Sequence, residues 1–389
     1  MTTKTANAPQ SFAFDPTDAL GADWRTGRWL GRIDRGDGPS PVLVVGGTVF
    51  DMAKVAPTVA ELVAIGALDP QAGEPIGDLD TLGLSVDGVP RLLSPIDFQC
   101  VKAAGVTFAV SALERVIEER ARGDASAAAD VRTRIEERIG GGMARIVPGT
   151  DEAAALKAAL IDEGLWSQYL EVAIGPDAEI FTKAQPLSTV GWGAEIGIRS
   201  DSTWNNPEPE IVLLVDPDGK AIGATIGNDV NLRDFEGRSA LLLGKAKDNN
   251  ASCSLGAFVR LFDDGFTMDD VRRAEVALRI EGTDGYVLDG SSSMSQISRD
   301  PEELVRQAIS EHQYPDGFVL FLGTLFAPTK DRDDPGRGFT HKVGDTVAIA
   351  APGLGRLINT VTTSQAAAPW TFGAVALVRN LARRGLLSA

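Results

Sequence analysis

Two carboxylates two positions apart, Glu208 and Glu210, open the most strand-like run of this chain, Ile211-Val212-Leu213-Leu214-Val215. The run reads as a buried strand, which commits the chain to a core built on a sheet. Side chains alternate faces along a strand, so Glu208 and Glu210 point the same way. A third carboxylate, Asp229, follows in Gly227-Asn228-Asp229-Val230. Like charges on one face beside an apolar run repel and are costly to desolvate. A divalent cation removes that cost. Oxygen ligands without Cys or His favour Mg2+, Ca2+ or Mn2+ over Zn2+. By itself the pattern also fits a solvated strand end, since paired acids near turns are common.

The 389 residues suggest two to three domains, and 43% hydrophobic content suffices for a sizeable core. With 37 Lys+Arg against 54 Asp+Glu the net charge is −17. That argues against nucleic-acid binding, which needs a basic face. Cys100 and Cys253 support neither a disulfide framework nor a zinc pattern and read as buried thiols. The first residues lack an apolar signal core, and no apolar stretch reaches the ~18 residues of a membrane span. A soluble cytoplasmic protein is expected, with no membrane partner. The two histidines, His312 and His341, read as loop or cap residues. Proton transfer therefore falls to carboxylates, lysines or metal-bound water rather than to a Ser-His-Asp triad.

Short strands are expected at Trp29–Ile33, Val42–Val45 and Thr48–Asp51, the last two joined by a Gly46-Gly47 hairpin turn. Thr58 and Glu61 form a capping box at a helix start. Residues 1–20 read as poorly ordered, and Gly73–Gly88 as a linker. Phe98–Val101 reads as a strand. Helices are expected at Ala109–Arg122, Ser126–Gly140, Asp151–Ile161 and Pro301–His312. Further strands are expected at Ala274–Glu281, Gly317–Phe321 and Asp345–Ala350. Charged positions in Glu114–Arg122 read as a solvated face.

Several segments in order resemble the fumarylacetoacetate hydrolase family, from about Pro95 to near the C-terminus. They are Glu208–Val215, Ile226–Asp234, Leu243–Asp248, Ser254–Phe258, Phe321–Thr324, Gly344–Val347 and Gly353–Asn359. The resemblance implies an α+β fold, a mixed β-roll catalytic domain over 94–389 with a smaller N-terminal α+β domain over 1–93. It implies Mg2+, with Mn2+ or Ca2+ as alternatives, held by Glu208, Glu210 and Asp229. It places Lys183 and Lys245 at the site, with Lys247 as a further candidate or else a surface lysine. The ligand implied is a 2-oxo acid chelated through its carboxylate and 2-oxo oxygen. Such chelation stabilises the enolate formed when C3 loses a proton.

Many family members carry a His, then a Glu three residues later. Here Ser111 falls at the His position and Glu114 keeps the Glu. Without an imidazole, water activation for C–C hydrolysis lacks its dyad. The family's 2-keto-3-deoxy-pentonate dehydratases are the better match, in length, in the added N-terminal domain and in the Glu210-to-Asp229 spacing. The expected reaction is dehydration to 2,5-dioxopentanoate, with Glu114 or Lys245 as base. Lys183, Lys247 and Thr324 are expected to bind substrate, and Ser291–Gln296 to contact its hydroxyls or to form a surface loop. Acylpyruvate hydrolysis or 2-oxo-acid decarboxylation is the alternative, and a non-catalytic binding protein a third reading. The resemblance also implies a homodimer or homotetramer.

Overall fold

The computed structural model describes residues 12–122, 124, 146–162, 164, 166–324, 326, 330–333 and 338–387. The helix expected at Ser126–Gly140 lies outside the described residues.

The strands, in chain order, are β1 Arg28–Asp34, β2 Pro39–Val45, β3 Thr48–Asp51, β4 Glu74–Asp78, β5 Arg91–Leu92, β6 Cys100–Gly105, β7 Glu179–Ala184 and β8 Glu195–Ile198. There follow β9 Asn205–Asn206, β10 Pro209–Val215, β11 Ala221–Asp229, β12 Asn231–Leu232, β13 Cys253–Leu255 and β14 Val259–Leu261. The last are β15 Glu275–Glu281, β16 Val287–Ser293, β17 Phe318–Phe321, β18 Thr346–Ala351 and β19 Gly355–Thr363. One large sheet runs β4-β3-β2-β1-β14-β11-β10-β17-β6-β7, with β13 on β11 and β5 on β1. A smaller one runs β16-β15-β18-β19-β8.

The apolar run that opened the sequence argument is the centre of this architecture. β10 sits between β11 and β17 and is buried along its whole length. Ile211, Leu213 and Val215 face a core shared with Val276, Leu278, Ile280, Val347 and Ile349 of the smaller sheet. Val212 and Leu214 face the opposite core, where Leu30, Leu43, Val319 and Phe321 meet Val59, Leu62 and Val63 of the helix Val59–Ala64. Two sheets stacked on one side and a helix laid on the other explain why the run Ile211–Val215 alternates nothing polar. The content is α+β, as expected.

The N-terminal strands join this sheet directly: Trp29 pairs with Arg260 and Leu30 with Val259. Gly46 and Gly47, at φ +62° and +95°, close the hairpin between Val45 and Thr48. Thr58 caps the helix Val59–Ala64 by accepting from the Glu61 N–H, and Asp97 accepts from Val59 and Ala60 N–H at 2.7 and 2.9 Å.

Three expectations are corrected. The Gly73–Gly88 linker contains β4, an exposed edge strand on β3. It has no apolar alternation because hydrogen bonds, not burial, hold it. Within 1–20, Pro16–Leu20 is a helix capped by Asp15, with Ala19 and Leu20 buried. The strand read at Phe98–Val101 starts at Cys100 and runs to Gly105. His341 lies in a loop as read, but is buried with Nδ1 3.5 Å from Asp345.

Candidate metal centre and active site

β10 and β11 are antiparallel, so the start of one meets the end of the other: Pro209 pairs with Asn228 and Glu210 with Gly227. That register brings Glu208, Glu210 and Asp229 together. The Asn228 side chain fixes it, its Oδ1 accepting from the Glu208 N–H at 3.1 Å while the Asp229 N–H donates to the Glu208 carbonyl at 3.0 Å. Carboxylate oxygens of the three acids lie within 4.8 Å of one another. Glu208 is 5% exposed, Glu210 3% and Asp229 1%. Glu210 accepts a hydrogen bond at 2.6 Å from Gly323 N–H. Gly323 has φ +90°, and a Cβ there would meet Thr107 Oγ1 at 2.0 Å. Glycine is what allows the backbone to present that donor.

Three cations face the acids. Lys247 Nζ donates to Glu208 Oε2 and lies 3.0 Å from Asp229 Oδ2. Lys183 Nζ lies 2.8 Å from Asp229 Oδ1 and donates to the carbonyls of Val230 and Lys247. Arg115 spans two acids, 2.5 Å from Glu208 Oε1 and 2.6 Å from Glu236 Oε2. Glu179, on β7, completes the wall with Phe181, Glu236 and Thr324.

The electrostatics are uneven. Burial pushes the Asp229 carboxyl up, but Lys183 and Lys247 outweigh it and hold the group below its ordinary value. Burial, then Asp229 and Glu208, drive Glu210 well above its own. Burial also raises Glu179, against Arg115 and Lys247. Burial favours a neutral Lys247, yet Asp229, Glu208 and Glu236 keep it charged far beyond neutral pH. Among the described residues, Glu179, Glu208, Glu210, Asp229 and Glu236 thus gather with Arg115, Lys183 and Lys247. Glu210 and Glu179 are the acids pushed upward, by burial first. The clustered oxygen donors of Glu208, Glu210 and Asp229 fit a divalent cation such as Mg2+, which would offset the repulsion among them. The cavity at the acids, partly open to solvent, is about 20 Å³, room for an ion or a water beside them.

The structure brings together Glu208, Glu210, Asp229, Lys183, Lys247 and Thr324 among the residues singled out from the sequence. It does not bring Lys245, which is exposed and lies over the Phe235 ring at 5.3 Å, outside the cavity. The short helix Leu243–Lys247 turns Lys245 outward and Lys247 inward. Glu114 is buried and sits 3.2 Å from Arg233, outside the cavity lining. Its neighbour Arg115 reaches the site instead. Ser111 lies in the helix Ala109–Arg120, its side chain outside the described set. Ser291–Ser293 lie on β16, an edge of the smaller sheet, and Met294–Gln296 in the turn beyond it. Arg115, Glu179 and Glu236 were missed. Glu179 had a usable signal, since Glu179, Phe181 and Lys183 stand at strand period in one segment.

The family described as fumarylacetoacetate (FAA) hydrolase, C-terminal, matches residues 165–362. A probable 2-keto-3-deoxyxylonate dehydratase of Haloferax volcanii is 34% identical over 195 residues, 50% of this chain and 64% of that protein. A 2-dehydro-3-deoxy-D-arabinonate dehydratase of Saccharolobus solfataricus is 33% identical over 186 residues, 47% of this chain and 58% of that one. The chain therefore spans less than two thirds of either relative's length. A solved structure, 2-keto-3-deoxy-D-arabinonate dehydratase complexed with magnesium and 2,5-dioxopentanoate, superposes with a TM-score of 0.62 at 23% identity, covering 86% of this chain and 99% of that one. At that identity the likeness is one of fold.

Proposed function

Because this chain belongs to the fumarylacetoacetate hydrolase family, we propose that it is a Mg2+-dependent dehydratase, a carbon–oxygen lyase converting a 2-keto-3-deoxy-pentonate to 2,5-dioxopentanoate and water. The observation that carries the reading is the buried Glu208–Glu210–Asp229 cluster with a further carboxyl, Glu179, in the same cavity wall. The named activities of the two relatives support the substrate class.

Glu208, Glu210 and Asp229 would hold the cation. When bound, it supplies a chelating centre that makes C3 acidic beside the 2-oxo group. Lys247 pairs with Glu208 and Asp229, favours the ionised Asp229 and offers a cation to the substrate carboxylate. Lys183 is fully buried and engaged with Asp229 and two carbonyls, so its role is to hold the centre's shape. Glu179 is the proton carrier of this proposal. Its raised pKa suits a group that takes a proton from C3 and returns one to the departing C4 hydroxyl. The resulting 3-ene shifts its double bond to C4–C5, and the enol at C5 tautomerises to the aldehyde. Substrate atoms then appear as 2,5-dioxopentanoate plus one water. Thr324, at the cavity wall, positions a hydroxyl of the substrate. Glu114, paired with Arg233, supports the neighbouring helix rather than the chemistry.

The test is turnover of 2-keto-3-deoxy-D-xylonate and of its C4 mirror image, 2-keto-3-deoxy-L-arabinonate, with Mg2+ and with EDTA, read as aldehyde. Mg2+-dependent aldehyde from either is expected. No aldehyde from both would sink the dehydratase reading. Family membership also underlies the expectation of a homodimer or homotetramer, which sedimentation would check.

A further inference from the structure

We propose that Arg115 is an internal counter-ion of the metal centre. It holds Glu208 when no divalent cation is present and gives it up when one binds, so the helix Ala109–Arg120 that carries it responds to cation loading. The proposal rests on the metal reading of the triad.

Arg115 Nη2 lies 2.5 Å from Glu208 Oε1, an oxygen the metal reading assigns to the cation. The side chain is only 12% exposed, so the pair is formed away from bulk water, where it competes strongly with an incoming ion. The guanidinium also has a second partner: Nη1 lies 2.6 Å from Glu236 Oε2. Letting go of Glu208 therefore leaves Arg115 paired rather than bare, which makes the exchange affordable. A cation of charge two replacing a guanidinium of charge one also brings more positive charge to the clustered Glu208, Glu210 and Asp229.

Arg115 differs from the two lysines in how it is mounted. Lys183 stands on β7, a strand of the large sheet, and its ammonium donates to the carbonyls of Val230 and Lys247. Lys247 stands on the helix Leu243–Lys247, whose last residue supplies one of those carbonyls. The Arg115 helix instead packs Ala112, Val116 and Ile117 into a separate core with Tyr169, Leu170, Ala173 and Ile174. A helix seated on its own core can shift without disturbing the sheets.

The experiment is a Mn2+ titration of metal-free protein by electron paramagnetic resonance, for wild type, R115Q and R115K. It is paired with hydrogen exchange of residues 109–120 in the wild type with and without Mg2+. R115Q is expected to bind Mn2+ tighter, on the order of tenfold, with R115K in between. Exchange in the helix is expected to rise when Mg2+ is added. A damaged fold would weaken binding, so the sign of the change separates this role from a structural one. R115Q binding no tighter than wild type, or a helix indifferent to Mg2+, overturns the proposal while leaving the metal centre in place. A wild type that binds no Mn2+ overturns the metal reading and this proposal with it. Should R115Q fail to fold, the wild-type exchange experiment decides.

Discussion

Two buried carboxylates in this molecule are treated in opposite ways. Asp345 is fully buried beside Arg332, whose two Nη atoms lie 2.7 and 2.5 Å from its two oxygens, and it also accepts from the Lys342 N–H at 2.8 Å. Burial pushes its pKa up, but Arg332, His341 and that N–H outweigh burial and hold it below its ordinary value. Glu210 is as deeply buried and receives one backbone hydrogen bond while facing two other acids. Its carboxyl is driven up. Burial alone thus says little about a charged group, and whether its surroundings answer the charge says nearly everything. Asp345 is answered by groups of the scaffold, whereas Glu210 faces acids whose charge a bound cation would answer.

The contrast breaks most visibly at the ligands. Glu208→Gln or Asp229→Asn should cut Mg2+-dependent turnover by at least about 10³-fold. Retained turnover in both would return the triad to the scaffold. Asp345→Asn should do the reverse, lowering stability by roughly 1–3 kcal/mol because Arg332 loses its fully buried partner and keeps only the more exposed Asp284, with Mn2+ affinity unchanged in protein that still folds. A chemical denaturation series would measure it.

Lys247→Met should lower turnover by about 10²-fold, whereas Lys245→Met, on the exposed side of the same short helix, should stay within about twofold. Equal losses in both would erase the distinction between the two faces of that helix.

Acidity offers a gentler probe. A carboxyl whose folded pKa is raised binds more protons folded than unfolded. Its destabilising effect therefore begins as pH climbs past the ordinary 4.5 and is complete above the raised value. Metal-free wild type should lose stability over that window, and Glu210→Gln should flatten part of the slope. Asp345 and Asp229, held low, act only as pH falls below the ordinary 3.8. A wild type and a Glu210→Gln variant with superimposable melting curves across pH 4–8 would show that Glu210 is compensated after all.

The large-scale fold was legible because it rests on period: Ile211–Val215, the Gly46-Gly47 hairpin and the Thr58 cap each follow from a local rule the packing obeys. The ligand spacing was legible for the same reason, since one strand fixes the relation of Glu208 to Glu210. The cations were harder. Lys245 and Lys247 lie on a helix of five residues, too short for its phase to be read from sequence. Arg115 sits in a charged run whose usual meaning is a solvated face, and only tertiary packing turns it inward. β4 was invisible because an exposed edge strand carries no apolar signature.

The pairing of β1 with β14 has a consequence for how the chain is made. Trp29 and Leu30 find their partners Arg260 and Val259 more than two hundred residues downstream. As the chain leaves the ribosome, the hairpin of β1 and β2 forms early, yet part of its outer edge stays open until the segment around Val259 emerges. Contacts so distant along the chain slow the search for the native state, and an open edge meanwhile invites pairing with other nascent chains. A polypeptide released before residue 259 would keep that edge bare for good, which makes premature termination a route to aggregates rather than to a soluble fragment.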